Sequence, residues 1–139
     1  MKKPYKILDH TADIGIMVYG RTEKELFANA GFALFDIMVD LAQVKEKEEV
    51  EVLAEGPDRE DLFLNWLREL LSLFYSKRLL LKRFDRIEVD DIRVKGVGHG
   101  ETLDWSRHIM RKEIKAATYH KLMVEKTRRG WKAQIIFDI

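Results

Sequence analysis

Between residues 58 and 77 the apolar positions recur with a helical beat. Leu62, Phe63, Trp66, Leu67, Leu70, Leu71, Phe74 and Tyr75 stand at i, i+3 and i+4, the spacing that lines one face of an α-helix. The stripe is wide and aromatic, which predicts a helix lying across a sheet with Trp66 and Phe74 in the core. Asp58 occupies an N-cap position, and Gly56-Pro57 ends whatever precedes it. An earlier stretch repeats the beat. Leu26, Phe27, Ala30, Ala33, Leu34, Ile37 and Met38 share a face behind a capping box made by Thr22 and Glu25.

Elsewhere the period falls to two. Residues 5–8 and 14–20 read as strands, and Val50 and Val52, set among charged neighbours, predict another near 48–55. Residues 83–90 and 92–98 read as a hairpin around Asp90-Asp91. Residues 114–125 and 131–138 read as a second, around Thr127-Arg128-Arg129-Gly130. In the last strand Trp131, Ala133, Ile135 and Phe137 alternate with Lys132, Gln134, Ile136 and Asp138, so Asp138 points away from the core set. The order ββαβα followed by four strands predicts an α+β, two-layer fold, two helices packed on a largely antiparallel β-sheet. Regular βα alternation, which a dinucleotide fold needs, is missing. A chain of 139 residues without linker or repeat is expected to form a single domain, 1–139.

Composition narrows the function. The net charge is +1, which argues against bulk electrostatic binding of nucleic acid. Yet residues 1–70 carry nine Lys/Arg against fifteen Asp/Glu, and residues 71–139 sixteen against nine. Either the two halves present opposed surfaces or their charges interleave in space; interleaving is the expectation. The absence of cysteine excludes disulfides, thiolate catalysis and Cys-ligated zinc. Pro4 and Asp9 interrupt any signal-peptide reading of Met1-Lys2-Lys3, and no run approaches the roughly 18 apolar residues of a membrane span. A cytoplasmic protein without membrane contact is expected.

The candidate chemistry lies at the two ends. Asp9-His10-Thr11-Ala12-Asp13 connects the first two strands, and the chain closes on Phe137-Asp138-Ile139. A strand ending in Asp and a main-chain carboxylate offers two anionic oxygen donors within one residue. Were Asp13 to fold against them, three carboxylates would converge, a set suited to Mg²⁺, Ca²⁺ or Mn²⁺. The plainer alternative is a frayed terminus and an Asp-rich turn. His10 is either a ligand or an anchor for its loop. His99, His108 and His120 do not pair with it at metal-ligand spacing, and no Gly-x-Ser-x-Gly or Ser-x-x-Lys motif suggests a self-contained hydrolase. Gly96-Val97-Gly98-His99-Gly100 lacks the Gly-Lys-Ser/Thr ending of a phosphate loop and reads as a flexible loop between strands. The segment after it, from Glu101 to Lys115, reads as a polar, basic stretch open to a phosphate or an acidic partner, or simply solvated. Tyr119 falls on one face with Lys115 and Lys121 by period-two counting, too little to make a nucleic-acid platform.

Three blocks, Asp-His-Thr-Ala-Asp-Ile-Gly-Ile (9–16), Glu-Ile-Lys-Ala-Ala-Thr-Tyr-His (113–120) and the closing Phe-Asp-Ile (137–139), together resemble the archease family across essentially the whole chain. The resemblance implies an accessory factor, not an enzyme: an activator of the RtcB-type, GTP-dependent tRNA-splicing RNA ligase that promotes ligase guanylylation and multiple turnover. It implies a divalent metal held by Asp13, Asp138 and the terminal carboxylate of Ile139. Lys115, and with it His10, would contact the partner or a phosphate, and tRNA would be reached only through the ligase. Two alternatives stay open beside it. One is a chaperone-like interaction module acting on RNA-modifying enzymes without need of the metal. The other is a metal-dependent phosphohydrolase.

Overall fold

A computed structural model describes residues 3–8 and 12–139. The chain order is β1 (Tyr5–Ile7), β2 (Asp13–Gly20), α1 (Glu23–Met38), a short 3-10 turn (Leu41–Gln43), β3 (Glu48–Glu55), α2 (Arg59–Lys77), β4 (Leu79–Val89), β5 (Arg93–Thr102), β6 (Ala116–Thr127) and β7 (Gly130–Asp138). This is the expected ββαβα followed by four strands. Both helices begin where their caps predict. The Thr22 hydroxyl accepts from the Glu25 N–H, and the Asp58 carboxylate accepts from the Asp61 N–H.

The α+β class holds, with the strands divided over two antiparallel sheets. One has the order β1-β2-β7-β6, the other β3-β5-β4. Helix α1 packs on β2 of the first sheet and β4 of the second, while α2 packs on β6 and β3. The helix pair therefore sits where the two sheets meet. That explains why α1 buries Phe35 and Leu34 as well as Leu26, Phe27 and Ala30, a wider arc than a single sheet would cover. The centre of the core is aromatic. Trp66 and Phe27 meet edge to face at 6.0 Å, Phe84 closes on Trp66 at the same distance, and the Trp66 indole N–H donates to the Phe27 carbonyl at 2.9 Å.

Residues Gly96–Gly100 form no loop; they are the middle of β5, the central strand of the second sheet. Their glycines exist for packing. A Cβ on Gly98 would stand 2.8 Å from a Leu81 methyl, and one on Gly100 would stand 1.7 Å from the Leu80 carbonyl oxygen. The strand is bare so that β4 and its side chains can close on it. The segment after it is not simply solvated either. Glu101 and His108 are buried, and the stretch folds back so that Met110 bridges Val39. In β6, Lys121 has φ 53° and the register with β7 shifts between Thr118 and Met123. That bulge breaks the period-two count which aligned Tyr119 with Lys121, and Lys115 lies ahead of the strand. Charges of the two sequence halves do interleave: Arg83 pairs with Glu46, Arg86 with Glu49 and Arg93 with Glu55.

Candidate functional site

In the first sheet β2 and β7 lie side by side, and their antiparallel register places Asp13 directly opposite Asp138. The alternation then sorts the two faces. Ile14, Ile16 and Val18 with Ala133, Ile135 and Phe137 are fully buried under the helices. Asp13, Met17 and Tyr19 with Lys132, Gln134 and Asp138 share the opposite face. Directly opposed residues carry Cβ atoms roughly 5 Å apart, so two carboxylates meet at one corner of the sheet within reach of a single cation. Like charges opposite one another are destabilising on their own. Among the described residues no Lys or Arg forms an ion pair with either Asp.

The chain around the corner is pinned. Ile139 packs its half-buried side chain on the core, and the Lys115 N–H donates to the Asp138 carbonyl at 2.7 Å. Lys115 is thereby tied beside Asp138 through its main chain while its side chain is exposed. Four of the five sequence-predicted residues, Asp13, Lys115, Asp138 and Ile139, thus gather at one place. His10, the fifth, lies outside the described residues, as does Asp9. An oxygen-only donor set fits a hard divalent cation. Among the described residues no group of three or more His, Asp or Glu side chains is arranged to hold an ion. The corner supplies two such side chains, and the third donor of the expected trio is a main-chain carboxylate.

Two features escaped the sequence. The first is a buried polar cluster. Glu101 accepts from Arg107, from the Lys45 N–H at 2.7 Å and from His108 Nε2 at 2.9 Å. The Asp104 N–H donates to His108 Nδ1 at 2.8 Å, so the ring proton sits on Nε2 and points at Glu101. The Arg107 hydrogen bond, opposed by burial and helped by Lys45 and His108, holds the Glu101 carboxyl at about 2. This cluster staples the segment between β5 and β6 to the turn after α1.

The second is a cavity of about 890 Å³ at the other end of the first sheet, where the chain start meets the β6–β7 turn. Lys3, Lys6, Arg128, Arg129 and Lys132 line it beside Tyr19, and among the described residues no acidic one does. Three separate stretches contribute, so no local motif announces it; the Arg128-Arg129 turn was its one visible trace.

A family model described as the Archease protein family matches residues 5–139. The protein archease of Methanosarcina mazei is 41% identical over 141 residues, covering 99% of this chain and 97% of that protein. The protein archease of Sulfolobus acidocaldarius is 35% identical, covering 97% of this chain and 98% of its own. The solution structure of Methanobacterium thermoautotrophicum protein 1598 superposes with a TM-score of 0.86 at 33% identity, covering 99% of this chain and all of that one. A Thermotoga maritima crystal structure, described as an archease and possible chaperone, gives 0.59 at 26% identity, covering 100% of this chain and 98% of that one.

Proposed function

This chain belongs to the archease family, and from that premise we propose that it is an accessory activator of an RtcB-type, GTP-dependent tRNA-splicing RNA ligase. The observation that carries the reading is the Asp13–Asp138 register, which sets two carboxylates side by side on a helix-free sheet face. Asp13, Asp138 and the carboxylate of Ile139 would hold a divalent cation, Mg²⁺, Ca²⁺ or Mn²⁺, through oxygen donors alone. Bound there, the ion supplies positive charge that phosphate oxygens need during nucleotidyl transfer. Asp13 and Asp138 orient it by their fixed register. Lys115, anchored through the Asp138 carbonyl, adds a mobile ammonium for a phosphate or a ligase carboxylate. The ligase performs the chemistry in the cytoplasm, and this chain delivers charge and geometry to it.

The test is multiple-turnover RNA ligation by the cognate ligase at limiting GTP and Mn²⁺, with wild type compared against Asp13→Asn and Asp138→Asn. Each substitution should weaken metal binding at least tenfold and remove most of the stimulation. Stimulation that survives both substitutions in folded protein would refute the metal-dependent mechanism.

A second reading, a chaperone-like interaction module, is favoured by one observation. Trp105 and Ile109, 75% and 60% exposed, put apolar surface on the segment between β5 and β6. It predicts activation that tolerates Asp13→Asn and fails with Trp105→Ala.

A further inference from the structure

The cation-lined cavity faces the end of the sheet away from the carboxylates. Tyr19 and Lys132 are register partners six positions along β2 and β7 from Asp13 and Asp138. At about 3.3 Å per residue that is a separation of roughly 20 Å along one sheet face. Of the five cations that line it among the described residues, two are matched internally, Lys3 by Asp36 at 2.9 Å and Lys132 by Glu125 at 3.2 Å. Lys6, Arg128 and Arg129 form no ion pair among the described residues. A surplus of positive charge concentrated in one cavity stands out in a chain of net charge +1, whose other arginines are largely matched by acids.

Geometry sharpens the chemistry. Arg128 and Arg129 occupy the two central positions of the β6–β7 turn and are both exposed. Gly130 closes that turn at φ +140°, where its hydrogen lets the chain pass the Gly20 carbonyl; a Cβ would stand 2.3 Å from that oxygen. The turn is therefore fixed against the β2 end, and its two guanidinium forks are presented beside the Tyr19 ring, itself 41% exposed. Guanidinium forks match phosphate oxygens, and an exposed aromatic ring beside them offers a base a stacking surface. A cavity near 890 Å³ is within the range that holds a nucleotide-sized group.

We infer that this cavity binds the phosphates of single-stranded RNA, with Tyr19 stacking on a base, so that the chain touches RNA itself and not solely through a partner. An acidic protein segment would use the cations but leave the tyrosine face without a role. The site stands apart from the carboxylate corner and does not depend on it.

Fluorescence anisotropy with a short labelled oligouridylate, titrated at several salt concentrations, tests the assignment. Wild-type protein should bind with a log affinity that falls linearly against log salt, at a slope near −0.7 per phosphate neutralised. The double variant Arg128→Ala, Arg129→Ala should flatten that slope by about 1.4 and weaken binding about tenfold or more at low salt. Tyr19→Ala should weaken it about tenfold, and Tyr19→Phe should restore it. Circular dichroism checks folding, and metal binding at the carboxylate corner should be unchanged in the arginine variant, so failure of one site is distinguishable from failure of the other. Absence of RNA binding at low salt would overturn the inference. So would binding indifferent to the arginine pair, or competition by polyglutamate as effective as RNA at equal charge.

Discussion

Replacing Glu101 by Gln removes one charge from a buried cluster while keeping its shape. Three donors converge on this carboxylate, Arg107 on one oxygen and the Lys45 N–H and His108 Nε2 on the other, with the Lys47 ammonium 3.8 Å from the first oxygen. A Gln amide has one acceptor oxygen. Turned toward Lys45 and His108, it aims its NH₂ at the Arg107 guanidinium; turned the other way, it faces two N–H donors. His108 cannot switch tautomer to help, because the Asp104 N–H already occupies Nδ1. The loss of a charge-assisted hydrogen bond is about 1.5–3 kcal/mol, and breaking a buried pair from one side reaches about 3–5 kcal/mol. Arg107 is a third exposed and recovers some hydration, so about 3 kcal/mol is expected. With an unfolding entropy of about 2.1 cal/mol/K per residue, that lowers Tm by roughly 10 °C. Urea unfolding followed by circular dichroism measures it. The pH dependence gives the sharper test. Glu101 titrates at about 2 when folded against 4.5 as the ordinary value. A depressed carboxylate stabilises fully above its unfolded pKa and loses that contribution as pH falls through its folded one. The gap between wild type and Glu101→Gln should be full at pH 7 and more than half closed by about pH 3. A gap below about 1 kcal/mol at pH 7, or one unchanged between pH 5 and 3, would refute the reasoning.

Other perturbations follow from features already described. Gly100→Ala places a methyl group against the Leu80 carbonyl oxygen, while Gly98→Ala meets only a Leu81 methyl and the Phe84 ring. The first should prevent stable folding, and the second should cost about 1–3 kcal/mol in denaturant midpoint. Thr22→Ala and Asp58→Ala each remove an N-cap acceptor and should cost about 1 kcal/mol apiece, additively, by thermal unfolding. Extending the chain past Ile139 converts its carboxylate to an amide; calorimetric titration with Mn²⁺ should show weaker binding with stability in chelator unchanged. Equal affinity would remove that carboxylate from the proposed site.

How far the sequence could be read depended on the range of the forces involved. Thr22 with Glu25 and Asp58 before its aromatic stripe are local signals, and both helices start where they indicate. The meeting of Asp13 with Asp138 was legible only as a condition, because the sequence put Asp13 in a loop and nothing local to either residue announces that β2 pairs with β7. The glycines of β5 misled because the reason for them lies in Leu80, Leu81 and Phe84, on another strand. Glu101 and His108 fell in a stretch read as open to a phosphate or an acidic partner, or simply solvated, because nothing nearby in sequence announces that the Lys45 N–H will bond Glu101. The cation-lined cavity draws Lys6, Tyr19 and Arg129 from distant stretches, and it takes both the β1–β2 and the β2–β7 pairings to bring them together.

The position of β7 also has a consequence in time. It is an inner strand of the first sheet, between β2 and β6, yet it follows them all in the chain. Some 110 residues separate the end of β2 from the start of β7, so at about 5–20 residues per second a ribosome needs roughly 5–20 s to bridge them. For that interval β2 shows an open edge and an unfilled groove to the cell, with Ile14, Ile16 and Val18 lacking the strand that completes their layer. The second sheet, built from β3, β4 and β5, has no such wait. Synthesis should therefore yield a half-folded chain around α2 and that sheet, which snaps shut when its last strand slides in. Both proposed sites come into being at that same moment, one at each end of the inserted strand.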